Sequence, residues 1–348
     1  MANIRQVAQT AGVSVGSVSD ILSGNVRYSY RPETILRVRA AVQRLGYRPN
    51  TMARALRQGV TTLVGVVVSA DIPPMTNTLM TCVRNELIAC GYQPVLLDAA
   101  QFDSAHSAGG LPHPGLLAGI ISADFALEKG LSEGYARLRK ELPLVAVCPV
   151  KSRQVDSVTT DRAQAIAMAV EHLASLGHRR VAFAIVHSKS VSQAPKIRGW
   201  QQAQRKYPIA PNPLYTIEIP NSVHGMMERA AFVFEALRRM ALPPTGVICA
   251  SDDIALCLLA QLAAAGWKAP ARLSVVGFDG VYYGNYSWPP LTTVAQPLRE
   301  IAREAVQRLK VLIGEYRQGQ ASVPVQRLIA PELLIRSSTI RCKPESLT

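Results

Sequence analysis

The sequence predicts a small all-helical head joined to an α/β core of parallel sheets with crossover helices. Three observations predict it. The stretch Ile4 to Leu22, IRQVAQTAGVSVGSVSDIL, has the spacing of two short helices joined by a tight turn. From Thr62 onward, short apolar β runs alternate with helical stretches, the pattern of buried parallel strands and their crossovers. At 348 residues the chain has length for two or three domains and a sizeable core.

In the head, Ala8 is small where two helices would cross. Gly12 follows the first helix, where a positive φ is wanted and a missing Cβ removes the clash. Ser14 can cap the second helix through its hydroxyl. Val7, Val13, Val18 and Ile21 supply a small shared core. Pro32 to Leu45 is a third helix; Ile35, Val38, Val42 and Leu45 fall at helical spacing to cover the first two, and Gly46 ends it. Tyr47-Arg48-Pro49-Asn50 reads as a linker. A short fourth helix, Met52 to Gln58, follows it and is too short to be stable alone in water. This spacing defines a helix-turn-helix, with an ordinary αα-hairpin as the plain alternative.

Charge favours the first. The chain carries +14, and residues 1–60 hold nine arginines against Asp20 and Glu33, half the total in about a sixth of the length. A polyanionic partner accounts for that concentration through phosphate neutralisation. The six cysteines, Cys82, Cys90, Cys148, Cys249, Cys257 and Cys342, are scattered without C-x-x-C spacing and read as reduced thiols. Residues 1–20 lack a charged segment followed by an apolar run, and Leu63–Ser69 is too short to span a bilayer. The expectation is a cytoplasmic protein without a membrane segment.

In the core, strands are expected at Leu63–Val68, Pro94–Asp98, Leu117–Ser122, Leu144–Val147, Arg180–Val186, Gly246–Ala250 and Leu273–Phe278. A last strand is expected near Gln326–Ile335. Helices are expected at Asn77–Cys90, Ser132–Leu142, Ala163–Leu176, Lys196–Lys206, Glu228–Met240, Ala255–Ala265 and Pro297–Ile313. Two similar blocks, 62–160 and 162–292, suggest two similar subdomains.

With these segments in view, the chain resembles the lactose-repressor family of bacterial transcription regulators. The residues that carry the likeness are VAQTAGVS in the head and LGYRPNTMARALRQG in the linker. TTDRAQA, HLASLGHRRVAF, ASDDIAL, SVVGFDG, PPLTTVAQP and APELLIRSST follow in order. The resemblance implies a helix-turn-helix head at 1–48, a hinge helix at 49–61 and a tail at 341–348. Between them, 62–340 would form a two-lobed core like periplasmic sugar-binding proteins. Lobe 1 would take about 62–161 and 293–324, and lobe 2 about 162–292 and 325–340. It further implies a homodimer, double-stranded operator DNA as partner, and a small effector between the lobes. The residues after APELLIRSST are short, polar and interrupted by Pro344, so no heptad seam for a tetramer is expected.

The resemblance puts Val15, Gly16, Ser17, Ser19 and Asp20, with Ser14 before them, on the helix that meets base edges. Asp20 stands where an arginine or another donor is common. It can only accept, from cytosine N4 or adenine N6, or it is a helix-surface residue making a local bond. Val15 can touch a thymine methyl. The loop Ser23 to Arg31 holds Arg27, Tyr28, Tyr30 and Arg31, suited to phosphate contact. In the linker, Tyr47, Asn50, Ala53, Leu56 and Arg57 match DNA-contacting positions, with Leu56 as the apolar wedge in the minor groove.

For the effector, the resemblance carries over Lys196, Ser251 and Asp279 from the second lobe. Asp161 falls at the lobe crossing, and Ser69 and Met75 on the first-lobe wall. Asp279 either accepts from ligand hydroxyls or caps a helix. Lys196 stands for a more usual arginine, trading a planar fork for a point charge. Met75 and Thr76 stand where paired aromatics are common; Trp267, Trp288 and Tyr282 are candidates to supply stacking instead, with Trp288 alternatively just packed. The expected effector is a polyhydroxylated metabolite, a sugar or sugar derivative, with a purine or nucleoside as the alternative. A transport-type binding protein is disfavoured by the basic head. No metal or cofactor motif appears, and His106, His113, His172, His178, His187 and His224 show no ligand spacing. No G-x-S-x-G or phosphate-cradling loop points to an enzyme.

Overall fold

The computed structural model describes residues 2–23, 30–47, 61–69, 73–100, 114–186 and 190–343. The chain forms two compact units, Met1–Thr61 and Thr62–Thr348. Arg27, Tyr28, Asn50, Ala53, Leu56 and Arg57, together with the expected hinge helix, lie outside the described residues.

The head has α1 (Ile4–Ala11), α2 (Val15–Ser23) and α3 (Pro32–Leu45). Asn3 and Gln6 form a reciprocal capping box at the start of α1: each side chain accepts from the other's backbone N–H, at 3.0 and 2.9 Å. Gly12 ends α1 at φ 64°, the left-handed conformation the turn requires. Ser14 Oγ then accepts from Ser17 N at 3.0 Å and starts α2. Val7, Ala8, Ala11, Val18, Val38 and Ala41 make the buried core, with Val13, Ile21, Val42 and Leu45 packed around it.

The second unit contains two six-stranded sheets. The first has the order β11-β5-β4-β3-β1-β2 and is parallel throughout. Its strands are β1 (Leu63–Val68), β2 (Gln93–Asp98), β3 (Gly119–Ser122), β4 (Leu144–Ala146), β5 (Asp156–Thr160) and β11 (Gln326–Ile329). Helices α4 (Pro74–Ala89), α5 (Glu133–Glu141) and α10 (Leu298–Arg317) cover its two faces.

The second sheet has the order β12-β10-β9-β8-β6-β7. Its strands are β6 (Val181–Val186), β7 (Thr216–Ile219), β8 (Gly246–Cys249), β9 (Ser274–Asp279), β10 (Thr292–Ala295) and β12 (Glu332–Leu334). Only β12 runs antiparallel. Helices α6 (Arg162–Ser175), α7 (Gln193–Lys206), α8 (Met226–Arg239) and α9 (Asp252–Ala264) pack on it. In each sheet the order reverses beside one strand, β1 or β6, and such switch points open crevices at the carboxyl ends of the strands.

Register moves two of the expected lobe boundaries. β10 pairs with β9 and β12, so 293–295, expected in the first lobe, belongs to the second. The expected last strand is two strands. β11 pairs with β5 in the first lobe, and β12 with β10 in the second. Pro331, which has no N–H to continue a ladder, sits between them where the chain crosses. β5, β7 and β10 were not expected at all. DSVTT, TIEI and TTVA lack an apolar run, yet Thr159, Thr160, Thr292 and Thr293 are buried. Hydroxyl bonds such as Thr160 Oγ1 to Gln296 Oε1 (2.7 Å) and Thr293 Oγ1 to Asp252 Oδ1 (2.6 Å) make that burial tolerable.

Candidate effector cleft and DNA-reading head

On α2, Gly16 is exposed and Ser17, Ser19 and Asp20 are half-buried. Val15 is half-buried and packs against the core of the head. Tyr47 likewise rests on that core. Asp20 Oδ2 accepts from the Tyr30 hydroxyl at 3.1 Å, a local bond that ties α2 to the chain entering α3. Arg5, Arg31, Arg37, Arg39 and Arg44 are all exposed on this small body. So a helix of small residues, exposed at Gly16, sits on a strongly basic domain.

The lobes are joined where the chain passes between them three times, after β5, after β10 and after β11. On the first-lobe wall, Asp124 follows β3 and organises the turn Phe125–Glu128. Its Oδ1 accepts from Ala126 N (2.9 Å) and Ser69 Oγ (3.1 Å), and its Oδ2 from the Tyr135 hydroxyl (3.0 Å). Ser69 is therefore committed to shaping that wall. Burial is the main cause that raises the Tyr135 phenol far above its ordinary value, so it acts only as a neutral hydrogen-bonding group. Met75, Thr76, Phe125, Cys148, Thr160, Arg162 and Gln296 line a cavity of about 10 Å³, room for one water.

At the first crossing, Asp161 caps α6 by accepting from Gln164 N at 3.0 Å. The next residue, Arg162, is the one that enters the cleft. It is buried, and its guanidinium faces Asp279 and Glu128. Gln296, at the second crossing, accepts from Thr160 Oγ1 and donates through Nε2 to Asp279 Oδ1 at 2.8 Å.

On the second lobe, Lys196 is buried in the first half of α7. Its Nζ donates to Ala250 O at 2.7 Å and lies 4.2 Å from the centre of the Phe278 ring. Asp279 ends β9 at φ 136°, a conformation unfavourable for any residue with a Cβ. Buried Asp252 holds the chain there: its Oδ2 accepts from both Gly280 N and Val281 N at 2.8 Å. Asp279 therefore does not cap a helix. Burial pushes the Lys196 ammonium down and the Asp279 carboxyl up, and the attraction between them opposes both shifts. Ser251 is the residue that caps a helix, accepting from Ile254 N at 3.3 Å at the start of α9.

Glu128, which sequence reasoning missed, spans the two lobes. Its Oε2 accepts from Ser192 Oγ at 3.0 Å. Arg162 follows the capping Asp161 in TTDR, and nothing local in that sequence distinguishes a buried cleft arginine from a solvated first-turn one. The expected replacement aromatics are elsewhere: Trp267 packs on Phe234 and Arg272, while Tyr282 and Trp288 are exposed, Trp288 at 91%. Phe125 is the aromatic that lines the cavity. Among the described residues no group of His, Cys, Asp and Glu is placed to hold a metal ion, and no helix is long and apolar enough to cross a membrane.

A basic helix-turn-helix unit, followed in the chain by a two-lobed α/β unit, defines a DNA-binding protein with a ligand-binding core. Residues 3–50 match the model for bacterial regulatory proteins of the lacI family, and residues 170–339 that for the periplasmic binding protein-like domain. An uncharacterized HTH-type transcriptional regulator in the aml 5' region of Streptomyces limosus is 30% identical over 98% of this chain and 95% of its own. The lac repressor dimer bound to operator and the anti-inducer ONPF superposes with a TM-score of 0.79 at 23% identity, over 97% of this chain and 99% of that one. The transcriptional regulator CelR in complex with cellobiose gives 0.65 at 24% identity, over 97% and 100%. The chain belongs to the lacI family of bacterial regulatory proteins. It is a DNA-binding transcriptional regulator with an effector-binding core, and not an enzyme.

Proposed function

We propose that this regulator is a cytoplasmic repressor that grips a palindromic operator as a homodimer and is controlled by a sugar or sugar derivative held between its lobes. The observation that carries the effector class is the mixture of groups at the cleft. Arg162 offers donors, while Glu128 and Asp279 offer acceptors. A hydroxyl is donor and acceptor at once, so adjacent hydroxyls satisfy such a mixture. A nucleobase presents a fixed and smaller set.

The dimer reading draws on Tyr282, Tyr286 and Trp288, three exposed aromatics within one turn of the second lobe, as expected of an interface. In the same reading Ser14, Gly16, Ser17, Ser19, Arg27, Tyr28, Tyr47, Asn50, Ala53 and Arg57 position the head and hinge on DNA. Leu56 would wedge the central base step. Lys196 and Ser251 shape the cleft from behind, and Asp161 orients Arg162.

The test has two arms on the full chain. An operator found by binding-site selection should be bound with a steep negative dependence on salt, a slope of several in log–log form, as expected of many phosphate contacts. A thermal-shift screen should then find a sugar that stabilises the chain and changes its operator affinity. Salt-independent binding would remove the regulator reading; a response to nucleosides alone would replace the sugar by a nucleoside.

A further inference from the structure

Buried polar atoms without a hydrogen-bond partner are rare in folded proteins, and each asks for an explanation. Among the described residues there are four such side-chain atoms: Thr76 Oγ1, Glu128 Oε1, Gln193 Oε1 and Glu315 Oε2. Thr76 lines the small first-lobe cavity that Arg162 and Gln296 also reach, Glu128 spans the lobes, and Gln193 follows the Ser192 that Glu128 holds. The Arg162 guanidinium also has no hydrogen-bonded acceptor among the described residues, although it is 7% exposed. Unmet acceptors and an unmet donor thus converge on one cleft.

The charges there are arranged unequally. Lys196 is already used by the Ala250 carbonyl and the Phe278 ring. Asp279 has one oxygen on Gln296, and Glu128 has one on Ser192. What is left for a ligand is the Arg162 fork, the second oxygens of Glu128 and Asp279, and the amide oxygen of Gln193. The three oxygens only accept, and two of them belong to acids.

We propose that Glu128 sets the charge of the effector: the cleft takes an uncharged polyol, a neutral sugar, and refuses the phosphorylated or acid form of the same sugar. This rests on the sugar reading given above. One hydroxyl donates to Glu128 Oε1 and accepts from Arg162, and an adjacent hydroxyl donates to Gln193 Oε1. A phosphate or carboxylate placed there sets like charges together beside the buried Glu128 carboxylate, and Arg162 cannot serve both. A ligand hydroxyl seated on Glu128 competes with Ser192 for the carboxylate, so the Ser192 to Glu128 bond is the interlobe contact that binding would exchange. Glu128 therefore reads the effector with the same carboxylate that joins the lobes without it.

The experiment titrates the full chain with matched pairs: D-ribose and D-ribose 5-phosphate, D-glucose and D-glucose 6-phosphate, cellobiose and cellobionate. Adenosine is included as the nucleoside arm, and melting temperature and calorimetric affinity are read. The wild type is expected to bind at least one neutral sugar about tenfold or more tightly than its charged counterpart, as for a buried like-charge contact. Glu128→Gln keeps the shape and removes the charge, and should narrow that gap by a similar factor. Ser192→Ala removes the interlobe bond and keeps the charge, and should preserve the gap.

A charged member that binds the wild type as well as its neutral partner overturns the proposal and leaves the sugar reading standing. So does a gap unchanged in Glu128→Gln, or one lost equally in Ser192→Ala. A response to adenosine alone, or to no sugar of either kind, overturns the sugar reading itself. Should Glu128→Gln fail to fold, the wild-type pairs and Ser192→Ala still decide.

Discussion

Two helical glycines of the core should respond in opposite directions to the same substitution. Gly199 lies in α7 where that helix crosses α6. A Cβ built there would stand 2.8 Å from Ala163 Cα and 2.9 Å from Ala163 C, and closer still to its carbonyl oxygen. Ordinary contact begins near 3.4 Å, so the helices must part by at least about 0.6 Å. Neither side can give way cheaply, because the obstacle is the backbone of one helix and the addition sits on the backbone of the other. Trp200, Ala203, Ala169 and Val170 pack closely around this seam. Overpacking of this kind costs about 1–3 kcal/mol. At about 2–4 °C per kcal/mol for domains of 150–250 residues, Gly199→Ala should melt about 2–12 °C lower.

Gly314 in α10 has nothing within 4 Å of its notional Cβ. Gly314→Ala should therefore gain the helix-propensity difference of about 0.5–1 kcal/mol and melt slightly higher. Circular dichroism melts of both variants beside wild type make the comparison. If Gly199→Ala melts within a degree of wild type, the packing argument at the α6–α7 seam is wrong.

Asp252→Ala leaves two backbone N–H groups and the Thr293 hydroxyl without their acceptor. At about 1–3 kcal/mol per buried unmet group, it should lower the urea midpoint far more than Asp252→Asn, whose amide oxygen can keep both N–H bonds; equal losses would refute the clamp. Burial lowers the imidazole pKa of His178 below its ordinary 6.5. Below that pH the unfolded chain takes up a proton that the folded chain refuses, so this contribution to stability falls as pH drops and is flat above 6.5. Urea melts at pH 7.5, 6.5 and 5.5 should show a shallower acid loss in His178→Gln than in wild type, and parallel curves would count against it. Asp20→Asn should raise affinity about 2–5-fold on all DNA sequences, since Tyr30 holds the carboxylate in a local bond and a partly exposed charge is worth up to about 1 kcal/mol; a changed base preference in binding-site selection would show instead that Asp20 reads a base.

Period and punctuation made the architecture legible. Gly12, Ser14 and Gly46 act through their own backbone or the next three residues, so their turn and cap roles follow from local chemistry and stand as expected. LVGVVV, VAFAIV and SVVGF are runs whose burial on both faces leaves little choice but a central parallel strand. Strands of threonine and acid were illegible, because β5, β7 and β10 owe their places to neighbours far along the chain. The sheet to which 326–329 and 332–334 each belong is likewise set by partners more than 35 residues away.

The cleft divides in the same way. Residue types and motif positions placed Lys196, Ser251, Asp161 and Asp279 in the neighbourhood of the crossing. Which atom points where came from tertiary contacts alone. Asp161 and Ser251 turn to their own helix ends, and Lys196 turns to a carbonyl 54 positions away. Arg162 and Glu128 are left facing the space between the lobes. A side chain's local options are written in its sequence neighbours, but the choice among them depends on which distant groups remain unpaired once the sheets have closed.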